Sequence, residues 1–275
     1  MPVKSHLNIY GGELSVDDTV LDKPHSKLEN LVGTFWSGKH HRVVKEINLI
    51  VLVYTDHQDR CMPINFRIYD PHDKAKSKHR YLMEMVQEVL KWGLKPRLVT
   101  ADSWYSAGKI LRFLRAQELG FLMGVKRDRT VSDQPHQYQR VDTLELENHQ
   151  PHYTHLREFG FVHVYRTEHP DQETRYYVYY DPEKDNQRLS GDVAKPEGIS
   201  YEQFKEIKRR HWHIEQLFYV IKRNCRAEKF FVRMPRQVHN HLFCMLRAYQ
   251  KLTIMVEHKL LESVHSLRTQ IYQET

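Results

Sequence analysis

Cysteine is scarce and scattered: Cys61, Cys225 and Cys244 are the only three, and none belongs to a C-x-x-C pair. That spacing argues against both a zinc ribbon and a disulfide framework, and leaves ordinary buried or half-buried thiols. Long apolar runs are missing as well. No stretch of eighteen apolar residues exists, and Met1 to Tyr10 lacks the basic-then-apolar layout of an export signal. Neither a membrane span nor secretion is therefore expected, and the cytoplasm is the default location. Internal repeats and low-complexity segments are absent too. What is present is 275 residues with 40% hydrophobic content, enough for one sizeable core with a smaller lobe or for two compact domains. Lys and Arg number 42 against 35 Asp and Glu, a net charge of +7. Such a balance suits a polyanionic partner, because neutralising phosphates releases condensed counterions, but alone it is a weak pointer.

The hydrophobic pattern changes period along the chain. Glu13 to Asp18 reads as a short strand ending in acid, and Arg42 to Tyr54 as a longer one rich in Val, Ile and Leu. Thr55 to Asp59 is a polar turn. Arg60 to Tyr69 follows, with Met62, Ile64, Phe66 and Ile68 at a period of two, so the three strands predict an antiparallel meander. Leu82, Met85, Val86, Val89 and Leu90 then repeat at helical spacing up to Gly93. A brief strand at Leu98 to Ala101, a helix between about Ala107 and Leu119, and a strand at Phe121 to Val125 imply parallel crossovers. From about Lys126 to Gly198 the rhythm breaks into polar sequence with strand-like pieces at Val141–Leu146, Phe161–Arg166 and Arg175–Tyr180. Ser200 with Gln203 has the form of a capping box, opening a helix that runs to about Arg223. A last long helix from about Gln237 carries Val238, Leu242, Met245, Tyr249, Leu252 and Val256.

Three acids stand out against this pattern. Asp18 closes Val16-Asp17-Asp18 at the end of the first predicted strand, Asp102 follows the strand Leu98–Ala101, and Glu215 lies inside the helix after the insertion. At about 100° per residue His211, Glu215 and Lys222 share one helical stripe at the edge of the apolar face. Three carboxylates suit a hard divalent ion, which prefers oxygen donors. Two ions held this way can activate an attacking hydroxyl and stabilise the leaving oxygen in a displacement at phosphorus. Lys222 could then place a point charge on a phosphate.

These residues resemble the DDE transposases of bacterial insertion sequences, in particular the type-four and type-seven-hundred-one groups, whose third acid lies in the signature Y-(2)-R-(3)-E-(6)-K. Glu215 and Lys222 match it, with His211 at the arginine position and Lys208 at the tyrosine position. Val16-Asp17-Asp18-Thr19-Val20-Leu21-Asp22-Lys23-Pro24 is similar to the first-acid motif, and Thr100-Ala101-Asp102-Ser103-Trp104-Tyr105 to the second. The resemblance spans about Ser15 to Leu252. It implies an α/β, ribonuclease-H-like mixed sheet flanked by helices, residues 1–127 and 200–275, interrupted by a β-rich insertion at 128–199. It also implies catalysis by Asp18, Asp102 and Glu215 with two Mg²⁺ or Mn²⁺ ions, phosphate binding by Lys208, His211 and Lys222, and action on transposon ends and target DNA at the bacterial nucleoid. Cut-and-paste transposition, a hairpin intermediate and a dimer on paired ends are further implications. Only seventeen residues precede Asp18, whereas the family carries a helical end-recognition region there. The expectation is a truncated copy with impaired activity, or a core whose end-binding part lies elsewhere.

Each motif has a plainer reading. Asp17-Asp18 could be a turn, Asp102 a helix cap, and Glu215 a member of helix ion pairs; only their joint occurrence in this order favours a metal site. His211 and His213, about 200° apart on a helix, cannot chelate one ion. Trp104 could stack on an extruded base, but packing is the commoner fate of such a residue. Tyr176, Tyr177, Tyr179 and Tyr180 read as a two-faced strand. Lys205, Lys208, Arg209, Arg210, Lys222, Arg223, Arg226, Lys229, Arg233 and Arg236 surround the third acid and form a candidate DNA-backbone track, or else a solvated face. A DNA-binding remnant without activity and a nuclease of the same fold that does not transpose are the rival readings.

Overall fold

A computed structural model describes residues 6–23, 31–37, 41–134, 136–168, 173–230, 232 and 234–264. Pro24 of the first-acid motif and Arg233 of the basic cluster lie outside the described residues. In chain order the elements are β1 (Glu13–Asp22), β2 (Gly33–Ser37), β3 (Arg42–Thr55), β4 (Cys61–Tyr69), α1 (Lys78–Lys91), β5 (Leu98–Ala101), α2 (Gly108–Ala116), β6 (Gly120–Val125), β7 (Thr130–Ser132), β8 (Gln139–Arg140), β9 (His152–Leu156), β10 (Gly160–Glu168), β11 (Thr174–Tyr180), α3 (Pro182–Ser190), α4 (Tyr201–Arg223) and α5 (Pro235–Glu257). The chain divides into two compact units, one drawn from residues 1–8, 17–92 and 212–275, the other from 9–16 and 93–211.

In the first unit β3 is the central strand. It pairs antiparallel with β2 through Gly33↔Glu46 to Ser37↔Arg42 and with β4 through Asn48↔Tyr69 to Thr55↔Cys61. The β3–β4 register shifts between Leu52 and Val53, opposite Pro63, where a residue without an N–H suits an interrupted ladder. Ile47 to Thr55 are all buried, so both faces of β3 are covered. Ile47, Leu49, Val51 and Val53 pack with Ile214, Leu217, Phe218 and Ile221 of α4 and with Val238, Leu242, Met245 and Tyr249 of α5. Each such side chain contributes about 1.5–3 kcal/mol when taken out of water. Helix α1 starts at the Ser77 cap, whose side chain accepts from Arg80 N, and buries Leu82, Met85, Val86 and Val89.

In the second unit the strand order is β1-β5-β6-β11-β10-β9-β7-β8. The start of β1 pairs parallel with β5, and β5 parallel with β6, as the predicted crossovers require; the remaining pairs are antiparallel. Helix α2 supplies the β5–β6 crossover and buries Ile110, Leu111 and Leu114. The Ser200–Gln203 box is formed: Ser200 N donates to Gln203 Oε1 at 3.0 Å and Gln203 N to Ser200 Oγ at 3.2 Å. It starts α4, whose Phe204 and Ile207 pack on Leu98, Leu122, Tyr165 and Tyr179.

Several expectations are corrected. β1 does not end at Asp18 but runs on to Asp22, so the acidic pair lies in mid-strand. Val141–Leu146 is not a strand: a 3-10 turn occupies Val141–Thr143, where Thr143 Oγ1 donates to Arg140 O and the Arg140 guanidinium grips Asp142. Such local side-chain bonds compete with a ladder. β2, β7, β8, β9 and α3 are additions, and Cys244 is exposed. Tyr176, Tyr179 and Tyr180 are all buried, so β11 is covered on both faces. Among the described residues no helix is long and apolar enough to cross a membrane.

Candidate active site

In the first unit Asp18 is half-buried on β1. Its Oδ2 accepts from Asn48 Nδ2 at 2.6 Å and from Lys78 Nζ at 2.7 Å. Asn48 comes from β3 and Lys78 from the first turn of α1. A carboxylate is tolerated in mid-strand because both donors reach it there, one of them charged. Neither partner carries a sequence motif, so neither was foreseen.

The part of α4 in this unit carries Glu215 and Lys222. Ile214, Leu217, Phe218 and Ile221 are buried, Glu215 is exposed and Lys222 half-buried. Trp212 and Tyr219 are exposed too, 52% and 48%. At spacings of three and four they flank Glu215 on the solvent side of the helix. These two aromatics were not singled out from the sequence, although an aromatic on the polar side of an amphipathic helix is a readable signal. The Arg223 guanidinium lies 5.1 Å from the Tyr219 ring centroid. His213 takes no part with Glu215; its Nε2 meets Asp59 Oδ1 at 3.0 Å.

In the second unit Asp102 stands at the end of β5, exposed, and its Oδ1 accepts from Trp104 N at 3.0 Å. It caps a 3-10 turn, Ser103–Tyr105, so the capping role weighed from sequence is real and fixes the carboxylate's direction. The turn sits close on β6: a Cβ added to Gly124 would come 3.2 Å from Ser103 N. Trp104 is 55% exposed, so its ring is not enclosed in the core.

His211 is buried at 7% exposure. Its Nδ1 lies 2.9 Å from Thr100 Oγ1, which is itself 2.9 Å from Ser15 Oγ, a buried chain linking α4, β5 and β1. Burial first, then the charge of Lys208, pushes the His211 pKa down to about 3, so the ring is neutral. The shared stripe of His211, Glu215 and Lys222 thus runs along the boundary, with His211 on the inner side. A neutral, enclosed imidazole in this placement anchors the helix through Thr100.

The basic residues divide into engaged and presented ones. The Arg210 guanidinium reaches Glu13 and Glu206, each at 3.1 Å, and Glu13, 1% exposed, also takes Arg97 at 2.7 Å. Arg209 pairs with Glu206 at 2.8 Å, and its hydrogen bonds hold that carboxyl below the usual carboxylate range. Lys208 lies 4.7 Å from the Tyr177 ring centroid. Lys205 pairs with Glu202 at 2.7 Å, while Arg223, Arg226, Lys229 and Arg236 are exposed.

Among the described residues no group of three or more His, Cys, Asp or Glu side chains stands together as a ready-made metal site. The donor chemistry of Asp18 nevertheless fits a hard cation. Its carboxylate already binds one, Lys78, and the neighbouring Asn48 Oδ1 is a buried acceptor with no hydrogen-bond partner among the described residues. A hydrated ion supplies donors of the kind that oxygen lacks.

The sequence model of the family described as "Transposase DDE domain" matches residues 12–250, a span that holds all three acids and Lys222. No curated protein matches the chain.

Proposed function

We propose that this chain, which belongs to the DDE transposase family, performs cut-and-paste transposition of an insertion sequence, with Asp18, Asp102 and Glu215 as its metal-binding acids. Family membership makes it a DNA-acting transposase of mixed α/β, ribonuclease-H-like fold, with the polynucleotidyl transfer that such enzymes carry out. The observation that supports the residue assignment is that the family match, residues 12–250, spans Asp18, Asp102 and Glu215.

Bound at these carboxylates, a pair of Mg²⁺ or Mn²⁺ ions would supply Lewis acidity for in-line displacement at phosphorus. The chain's own residues do the rest. Asn48 orients the Asp18 carboxylate through its 2.6 Å hydrogen bond. Trp104 N fixes Asp102, and the Ser15–Thr100–His211 chain steadies the strand that ends in it. Lys222 contacts phosphate as a point charge, and Lys208 assists. The exposed Arg223, Arg226, Lys229 and Arg236, with Arg209, track the DNA backbone. His211 belongs to the support of the site. A dimer on paired transposon ends follows the same reading, as does the division into a catalytic core, 1–127 and 200–275, and an insertion, 128–199.

The test is Mg²⁺-dependent nicking of duplex DNA, with strand transfer from a 3′-hydroxyl donor end, by the wild-type chain and by Asp102→Asn. The asparagine keeps an acceptor for Trp104 N and removes the charge, so nicking should fall at least a thousandfold, about 4 kcal/mol in the barrier, without loss of fold. Equal activity in both proteins would reject the assignment. Nicking without strand transfer would make the chain a nuclease, and no nicking by either a DNA-binding remnant.

A further inference from the structure

The carboxylate assigned to metal is already occupied by a lysine. Lys78 Nζ lies 2.7 Å from Asp18 Oδ2, and both side chains are 18% exposed, so the pair is shielded from solvent on most sides. Asn48 Nδ2 donates to the same oxygen. Its amide orientation is dictated by the carboxylate, because only the NH₂ group can face an ionised acceptor. The position of Lys78 is unusual for helix stability. It is the first residue of α1, followed by His79 and Arg80, with no acid in the first turn, and the positive end of a helix disfavours cations. What rewards a lysine there is Asp18. The Tyr69 ring, 5.7 Å from Nζ, lines its other side.

We propose that Lys78 is a built-in counter-ion of Asp18 that competes with divalent metal. In the metal-free chain the ammonium neutralises the acid and keeps it in place on β1. When the ion binds, Lys78 leaves Asp18, because two cations on one carboxylate repel, and its charge becomes available to a DNA phosphate. No covalent bond changes; one cation replaces another. The inference rests on the reading of Asp18 as a metal-binding acid. It adds that metal affinity is tempered by a side chain outside the three-acid set, so that metal loading is favoured when phosphate is at hand to receive the lysine.

The experiment is a Mn²⁺ titration of the full chain without DNA, followed by the electron paramagnetic resonance signal of free Mn²⁺, for wild type, Lys78→Met, Lys78→Arg and Asp18→Asn. Lys78→Met should bind Mn²⁺ about tenfold more tightly, the factor that corresponds to about 1.4 kcal/mol of lost competition. Lys78→Arg, which keeps the charge, should match wild type, and Asp18→Asn should bind more weakly than either. Lys78→Gln replaces the methionine variant if that one does not fold. Affinity of Lys78→Met equal to or below wild type, with Asp18→Asn weakened, would overturn the counter-ion and leave the metal assignment standing. Undiminished binding by Asp18→Asn would overturn both.

Discussion

Replacing His211 by glutamine removes a titrating ring and keeps an amide able to hydrogen-bond to Thr100. In the wild type the ring is buried, and burial, with Lys208 behind it, pushes its pKa down to about 3, against about 6.5 in an unfolded chain. Between those values the unfolded chain takes up a proton that the folded chain refuses. The stability held by the neutral ring is therefore complete above about pH 6.5 and is lost progressively as pH falls toward about 3. Each pH unit in that window costs about 1.4 kcal/mol, so at about pH 5 the wild type has lost about 2 kcal/mol that His211→Gln retains.

Urea denaturation of both proteins at about pH 7.5, 6 and 5 measures this directly. Contributions common to both proteins cancel in the comparison. The stability gap should move by about 2 kcal/mol in favour of His211→Gln between the highest and lowest pH. A gap constant to within about 0.5 kcal/mol would refute the enclosed neutral ring and restore His211 as a cation available to phosphate.

Two further substitutions probe the supports of the site. Glu13→Gln leaves Arg210 and Arg97 facing an uncharged amide; with Arg97 half exposed, the loss should be about 2 kcal/mol, below the 3–5 of a fully buried pair, read as a lower urea midpoint. Gly124→Val drives a branched side chain into the Ser103 backbone, which even a Cβ would approach to 3.2 Å. It should cost about 1–3 kcal/mol and reduce nicking while DNA retention in a gel-shift assay persists; unchanged nicking would show that the turn bearing Asp102 need not rest on β6.

Elements with a strong internal period were legible in the sequence. β5 and the Ser200–Gln203 start of α4 appear where the pattern put them, because alternation, helical spacing and capping chemistry are local. α3 was missed because none of its residues is buried, so no apolar stripe exists to read. Its Asp181 cap and left-handed Gly191, at φ 86°, were the available signals. β1 was cut short because Asp17-Asp18 reads as a stop. What lets the strand continue is Asn48 and Lys78, donors 30 and 60 residues away.

The same distinction separates the site residues from their supports. A helical wheel places His211 near Glu215, but a residue at the edge of an apolar face is assigned to core or solvent by what waits across from it. For His211 that is Thr100, 111 residues distant, at 2.9 Å. For Glu215, four residues later, the side chain turns to solvent between Trp212 and Tyr219. Acids that bind metal must stay hydrated or charged and so keep simple motifs, whereas the groups that orient them are recruited from whichever strand or helix the fold brings near. The acids proposed for the chemistry can therefore be read from short motifs, while the groups that contact this part of the fold, Asn48, Lys78 and Thr100, are tertiary partners that no local pattern encodes.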